Sequence, residues 1–257
     1  MNTSQIAPYG SWKSPITSDL IVSKTIGIGS LVVNQDDIYW LEKRPQEKGR
    51  NLIVGYSNHR GLKNITPSPL SVRSRIHEYG GGAFNIEQDT IYFSNYSDGR
   101  IYQQVLHKQP KALTNKVQQR YGDIIIDSSR NRLICVCEDH SPTDREAINN
   151  IISIDLDTGR IRNLITGADF YSSPRLSPNS EHLAWLSWNH PDMPWDSTYL
   201  WLAKINHDGS IEKPELVAGG QIESICEPKW SPSGELYFAS DRTNWWNLYR
   251  RNQDGSV

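Results

Sequence analysis

Pro228-Lys229-Trp230-Ser231-Pro232-Ser233-Gly234-Glu235-Leu236-Tyr237-Phe238 contains a strand, a tight turn and a second strand. A proline at the second turn position presets φ and a glycine accepts positive φ, so Ser231 to Gly234 predicts a hairpin. The pattern occurs earlier in the chain. Pro174-Arg175-Leu176-Ser177-Pro178 leads to Leu183-Ala184-Trp185, with the two Ser-Pro pairs 54 residues apart. A third copy lacks the proline: Ile124-Ile125-Ile126, a turn over Asp127 to Arg130, then Leu133-Ile134-Cys135. Ala83 to Ile86 before Ile91-Tyr92-Phe93, and the run Ile38-Tyr39-Trp40, extend the series to five. The second-strand runs start 53, 42, 50 and 53 residues apart.

A third strand follows each run, at Asn51 to Val54, Arg100 to Tyr102, Ile151 to Ile154, Tyr199 to Leu202 and Asn247 to Tyr249. Glycine-bearing turns come next. A short fourth strand is expected at Asn64-Ile65-Thr66, Ala112-Leu113-Thr114, Asn163-Leu164-Ile165 and Glu215-Leu216-Val217. The fifth unit reaches its third turn at Asp254-Gly255. Four short antiparallel strands per repeat, at a period of roughly 40–50 residues, make a propeller blade. A β-sandwich also spaces short strands evenly, but here the self-similarity extends into the turns. The expectation is an all-β β-propeller of about four complete four-stranded blades plus a partial fifth. An N-terminal segment over 1–24 precedes a partial propeller over 25–257, with units at about 25–66, 80–114, 121–165, 172–217 and 226–257. No long amphipathic helix is read; Asp144 to Ile148 has the makings of one helical turn in a loop.

The 27 basic and 29 acidic residues leave a net charge of −2, which points to neither nucleic acid nor an anionic membrane as partner. No apolar run approaches the roughly 18 residues of a membrane span. The N-terminal Met1-Asn2-Thr3-Ser4-Gln5 has no basic and apolar leader pattern. Cys135 and Cys137 fall two apart on one strand, hence on one face, and same-strand neighbours rarely bridge. A reduced, cytoplasmic protein is the expectation, and the acceptor patterns Asn64-Ile65-Thr66 and Asn95-Tyr96-Ser97 then carry no glycan.

His77-Glu78-Tyr79-Gly80-Gly81 begins like a zinc-protease helix, but Gly81 stands where the second histidine is needed. It reads as a turn into the first strand of the second blade. His77 and Glu78, with Arg73 and Arg75 just before, sit in a loop of the kind that projects to one mouth of a propeller. Gly27-Ile28-Gly29-Ser30 lacks the third glycine of a dinucleotide fingerprint and reads as the start of a strand. Asp155 to Gly159 resembles the start of a calcium loop, but Thr166 occupies the position of the distal glutamate, so a β-turn is expected. No metal or cofactor is expected. Trp188-Asn189-His190-Pro191-Asp192-Met193-Pro194-Trp195-Asp196 is a stiff aromatic loop, suited to packing on a partner or lining a ligand mouth. Gly-x-Ser-x-Gly is absent; Gly55-Tyr56-Ser57-Asn58-His59 comes nearest, without the last glycine or a following helix.

Several of these stretches occur in a telling order. Tyr9-Gly10-Ser11-Trp12 comes first, then Asp37-Ile38-Tyr39-Trp40, then Arg75-Ile76-His77-Glu78-Tyr79-Gly80-Gly81-Gly82. Leu176-Ser177-Pro178, Leu183-Ala184-Trp185, the Trp188 to Asp196 loop and Ser240-Asp241-Arg242-Thr243-Asn244-Trp245-Trp246-Asn247 follow. Together they resemble the N-terminal propeller of the prolyl oligopeptidase family, in its acylaminoacyl-peptidase or dipeptidyl-aminopeptidase-like branch. The resemblance covers nearly the whole chain. It implies a propeller of about seven or eight blades joined to an α/β-hydrolase domain that holds a Ser, Asp and His triad. In such proteins the propeller gates peptide access, and in several members a propeller loop binds the substrate's free amino terminus. With about four and a half blades and no hydrolase motif, the sequence reads as the propeller truncated before that domain. No triad residue carries over, and the chain is expected to be inactive alone. Its partner is then a peptide substrate, met through the missing hydrolase domain. Glu78, with His77 and Arg75, is the candidate for the substrate terminus, because a carboxylate pairs with an ammonium. The alternative is a stand-alone scaffold for protein–protein interaction, closed with five blades by the segment Leu20-Ile21-Val22-Ser23-Lys24. Oligomeric state is not legible.

Overall fold

The computed structural model describes residues 6–22, 25–115, 118–142, 144, 146–220, 222–252 and 254–257. Among these residues, nineteen strands form five antiparallel sheets. The first sheet holds β1 (Gly27–Asn34), β2 (Asp37–Arg44), β3 (Arg50–Ser57) and β4 (Gly61–Asn64). The second holds β5 (Phe84–Glu87), β6 (Thr90–Ser94), β7 (Ile101–Val105) and β8 (Lys111–Ala112). The third holds β9 (Gln119–Asp127), β10 (Arg132–Asp139), β11 (Ile148–Asp155) and β12 (Ile161–Ile165). The fourth holds β13 (Phe170–Leu176), β14 (His182–Trp188), β15 (Tyr199–Lys204) and β16 (Glu215–Gly219). The fifth has three strands, β17 (Ile225–Trp230), β18 (Leu236–Ser240) and β19 (Asn247–Arg251). Each sheet is a meander in chain order, and the first strands of neighbouring sheets touch. This is a propeller arrangement of five blades.

Period-two alternation in the apolar triplets holds the blades together. In β10, Leu133 and Cys135 point into the gap toward the second sheet, and Ile134 into the gap toward the fourth. In β14, Leu183 and Trp185 face the third sheet while Ala184 and Leu186 face the fifth. Ile91 and Phe93 face back to the first sheet and Tyr92 forward to the third. The outer residues of each triplet therefore look back and the middle one forward. Four apolar clusters fill the four gaps between five sheets. At roughly 1.5–3 kcal/mol for each fully buried large apolar side chain, these gaps supply the main stabilisation.

The Ser-Pro turns form as read: Ser180 N donates to Ser177 O at 2.8 Å, and Gly234 N to Ser231 O at 3.0 Å. In Asp155 to Gly159, the Asp155 carboxylate accepts from the Asp157 and Thr158 amides, and Gly159 N donates to Asp155 O at 2.8 Å. Four first strands carry a bulge at a non-glycine residue with positive φ, at Ser30, Asp123, Ser173 and Glu227.

Three local expectations are corrected. The fourth strands of the first two sheets lie earlier than Asn64 to Thr66 and Ala112 to Thr114. Buried Thr66 and Thr114 instead use their hydroxyls to accept from Ile53 N (3.2 Å) and Ile101 N (3.0 Å), replacing a backbone rung. The proposed closing strand is not one: Ser18–Val22 is a short helix, with Thr17 Oγ1 accepting from Leu20 N, while Ser23 and Lys24 lie outside the described residues. Asp144 to Ile148 makes no helical turn among the described residues; Ile148 opens β11, and Arg145 lies outside them.

Candidate functional site

The loop before β5 passes over the start of the third sheet and reaches the fourth. Ile76, fully buried, packs against Gly122 of β9, where a Cβ would collide with its Cδ1. Ser74 Oγ donates to Tyr121 O at 2.7 Å, and Arg120 donates to Arg75 O at 3.2 Å. This anchoring holds His77 and Glu78 at φ +53° and +62°. Two successive non-glycine residues in the left-handed region cost of order 1–3 kcal/mol each, and persist only where surrounding contacts impose them.

His77 is fixed from both sides. Its backbone N–H donates to Glu138 Oε1, and its Nε2 donates to the carbonyl oxygen of Tyr171 at 3.0 Å. Nε2 thus carries the ring proton, and buried Nδ1, 3.5 Å from Glu138 Oε1, makes no hydrogen bond. Burial lowers the His77 pKa, with the Glu138 charge opposing. The ring packs against Trp188, Tyr79 and Phe170, at centroid distances of 5.3, 5.6 and 6.1 Å.

A cavity of about 770 Å³ opens beside this histidine, between the loops of the second, third and fourth sheets. Among the described residues, Glu78, Glu138, Glu146, Asp169 and Asp192 line it, with three histidines and no lysine or arginine. Phe170 stacks on Trp188 at 5.4 Å to form an aromatic wall. Asp169 accepts from the His190 amide (2.9 Å) and Nδ1 (3.1 Å), bonds that hold its pKa below the usual carboxylate value. Buried Glu138 contacts His140 Nε2 at 3.1 Å. Asn149, in β11, donates to Asp169 O at 2.7 Å and leaves a buried Oδ1 without a partner. The lining thus offers carboxylates and aromatic faces, while His77 Nδ1 and Asn149 Oδ1, without a hydrogen-bond partner among the described residues, are enclosed behind it. A cation with N–H donors suits carboxylates and aromatic faces alike. Among the described residues no group of three His, Cys, Asp or Glu side chains is arranged to hold a metal ion.

Of the three residues singled out in the sequence, the structure brings His77 and Glu78 to the cavity and directs Arg75 away. The Arg75 guanidinium lies 5.5 Å from the Tyr96 ring centroid. Arg120 takes the cationic place beside Glu78, lowering the carboxyl's pKa through a hydrogen bond. The Trp188 to Asp196 loop does line the mouth, through Trp188, His190 and Met193. Glu138 and Asn149 were missed: both sit in strands that read as core, and nothing local marks their ends as a site.

No family model matches the chain, and no curated protein matches it. Solved structures do. A puromycin-hydrolysing peptidase of Mycobacterium tuberculosis is 35% identical over 95% of this chain, at a TM-score of 0.85. A puromycin hydrolase is 29% identical over 99% of it, at 0.88. An oligogalacturonate lyase, 15% identical at 0.61, shares the fold alone. The chain spans 40% and 42% of the two hydrolases. It is a β-propeller belonging to the prolyl oligopeptidase family.

Proposed function

We propose that this propeller selects and gates peptides for a hydrolase domain, and that the acidic cavity receives the peptide's amino end. The observation that carries this reading is a lining that, among the described residues, holds five carboxylates and no lysine or arginine beside the stacked Phe170 and Trp188 rings. An α-ammonium brings three donors and one positive charge, and the Trp188 and Phe170 wall accommodates the first side chain. Similarity to peptidases over the propeller supports a peptide as ligand.

Calorimetric titration of the 257-residue chain with a tripeptide, free or N-acetylated, tests it. The free amine is expected to bind, and acetylation or Glu138→Gln to weaken binding about tenfold or more. Equal or tighter binding of the acetylated peptide overturns the reading. A second reading, a scaffold for a protein partner, draws on Trp195, 62% exposed beside the mouth. It predicts that Trp195→Ala impairs partner binding while leaving the tripeptide titration unchanged.

A further inference from the structure

A second cavity, of about 440 Å³, lies on the other side of the Ile165 to Tyr171 segment, and Ala168 lines both. It sits where the third sheet's last strand meets the face of the fourth. Buried Tyr171 and Trp185 form its floor. Tyr199 and Trp201, neighbours on one face of β15, form a wall, their rings 6.2 Å apart and 29° from parallel.

Comparison between blades shows how the cleft arises. In three sheets the last residue of the second-strand triplet pairs with an aromatic residue on the third strand: Phe93 with Tyr102, Trp185 with Trp201, Phe238 with Tyr249. In the second sheet the Tyr102 ring is covered by Arg100, two residues earlier, at 5.3 Å. In the fifth, Tyr249 is covered by Arg242 at 4.6 Å. In the fourth sheet Tyr199 stands in the place of Arg100, and among the described residues no guanidinium lies over Trp201. Where its sister blades seat a cation of their own, this blade opens an aromatic cleft.

The polar groups of the walls are already engaged. Trp201 Nε1 donates to Ser187 Oγ at 2.9 Å, the Tyr171 hydroxyl accepts from Ala168 N at 2.7 Å, and Asn189 Oδ1 accepts from Asp169 N at 2.8 Å. The Asp169 carboxylate faces His190, in the other cavity. Among the described residues, Lys213 is the single charged one in the lining, is exposed and makes no ion pair. The two cavities thus carry opposite charge across one segment of chain.

We propose that this cleft is a second ligand site, for a flat aromatic ring bearing a carboxylate or similar monoanionic group. The ring lies against Tyr199 and Trp201 above Trp185, and the anion meets Lys213. Stacking provides the contact area and the lysine sets the sign of charge accepted. The inference stands apart from ammonium recognition next door.

Calorimetric titration of the full chain with indole-3-acetate, and with tryptamine as its cationic counterpart, tests it. Indole-3-acetate is expected to bind saturably at one site. Lys213→Glu, an exposed substitution, weakens it about fivefold or more, and Tyr199→Ser about tenfold, without change in melting temperature. Glu138→Gln, in the other cavity, leaves it unchanged. Any tryptamine binding is not weakened by Lys213→Glu. Absence of saturable indole-3-acetate binding, or binding indifferent to both Lys213→Glu and Tyr199→Ser, overturns the proposal.

Discussion

His77 Nε2 donates to the main-chain oxygen of Tyr171 at 3.0 Å, and this one bond ties the loop before the second blade to the first strand of the fourth. The bond uses the neutral tautomer with its proton on Nε2, and burial favours that neutral form. Unfolded, the same imidazole titrates near 6.5. Above that pH it is neutral in both states. As pH falls from about 6.5 toward the lower folded value, the unfolded chain takes up a proton that the native chain resists, and stability is lost. Glu138 and Asp123 face the ring and oppose the shift without reversing it. Melting temperature is therefore expected to fall between pH 7.5 and 5.5, and to fall less in His77→Gln, which keeps a donor for Tyr171 but does not titrate. Parallel pH curves for the two proteins would show that His77 is not the titrating group.

Ile76 and Gly122 form the close contact under that histidine. A methyl group at residue 122 collides with Ile76 Cδ1 and crowds Ser74 Oγ. Gly122→Ala is expected to cost about 1–3 kcal/mol, the usual penalty for overpacking. Ile76→Val removes Cδ1, the nearer of the two colliding carbons, so the double variant should recover part of the loss. Urea denaturation of the single and double variants checks this, and simple additivity of the two losses refutes the contact as the cause.

The three thiols stand in different surroundings. Cys135 is enclosed between the second and third sheets, and burial drives its pKa well above the ordinary thiol value. Cys137 shares that gap and is pushed up to about 12. Cys226, on the first strand of the fifth sheet, is only half-buried and its pKa is also raised. A thiolate reagent at pH 8 should titrate Cys226 slowly and leave the other two unreacted until denaturant is added. Rapid reaction of two or more thiols in the native chain would mean that the gap between the second and third sheets opens readily.

The triplets made the blades legible because each encodes two interfaces at once. Leu133, Ile134 and Cys135 alternate between gaps, so the same three letters specify a strand and both its neighbours. Thr66 and Thr114 escaped the pattern because a hydroxyl there replaces a backbone rung, a substitution invisible to apolar periodicity. The site divides the same way. His77 and Glu78 drew notice as an odd polar turn, but the carboxylate that holds His77, Glu138, lies 61 residues further on and in sequence merely ends a buried strand. Arg75 belonged by proximity in sequence and departs because Tyr96 offers its guanidinium a ring face.

The alternation that fills four gaps also leaves two faces without a partner blade. In the first sheet the back-facing positions fall on Ile38 and Trp40, and Ile28, Leu31 and Val33 of β1 are exposed at 75%, 66% and 63%. In the fifth, Trp245, Trp246 and Leu248 are exposed. Soluble monomers rarely carry contiguous apolar patches beyond a few hundred Å². The 257-residue chain is therefore expected to self-associate, with an apparent mass in light scattering that rises with protein concentration. Charged substitutions chosen on the exposed positions alone, Leu31→Lys with Leu248→Lys, should shift it toward monomer while leaving the blade cores intact. A chain that stays monomeric at high concentration and melts in one cooperative step would show instead that the two faces are covered from within, by contacts between the first and fifth sheets.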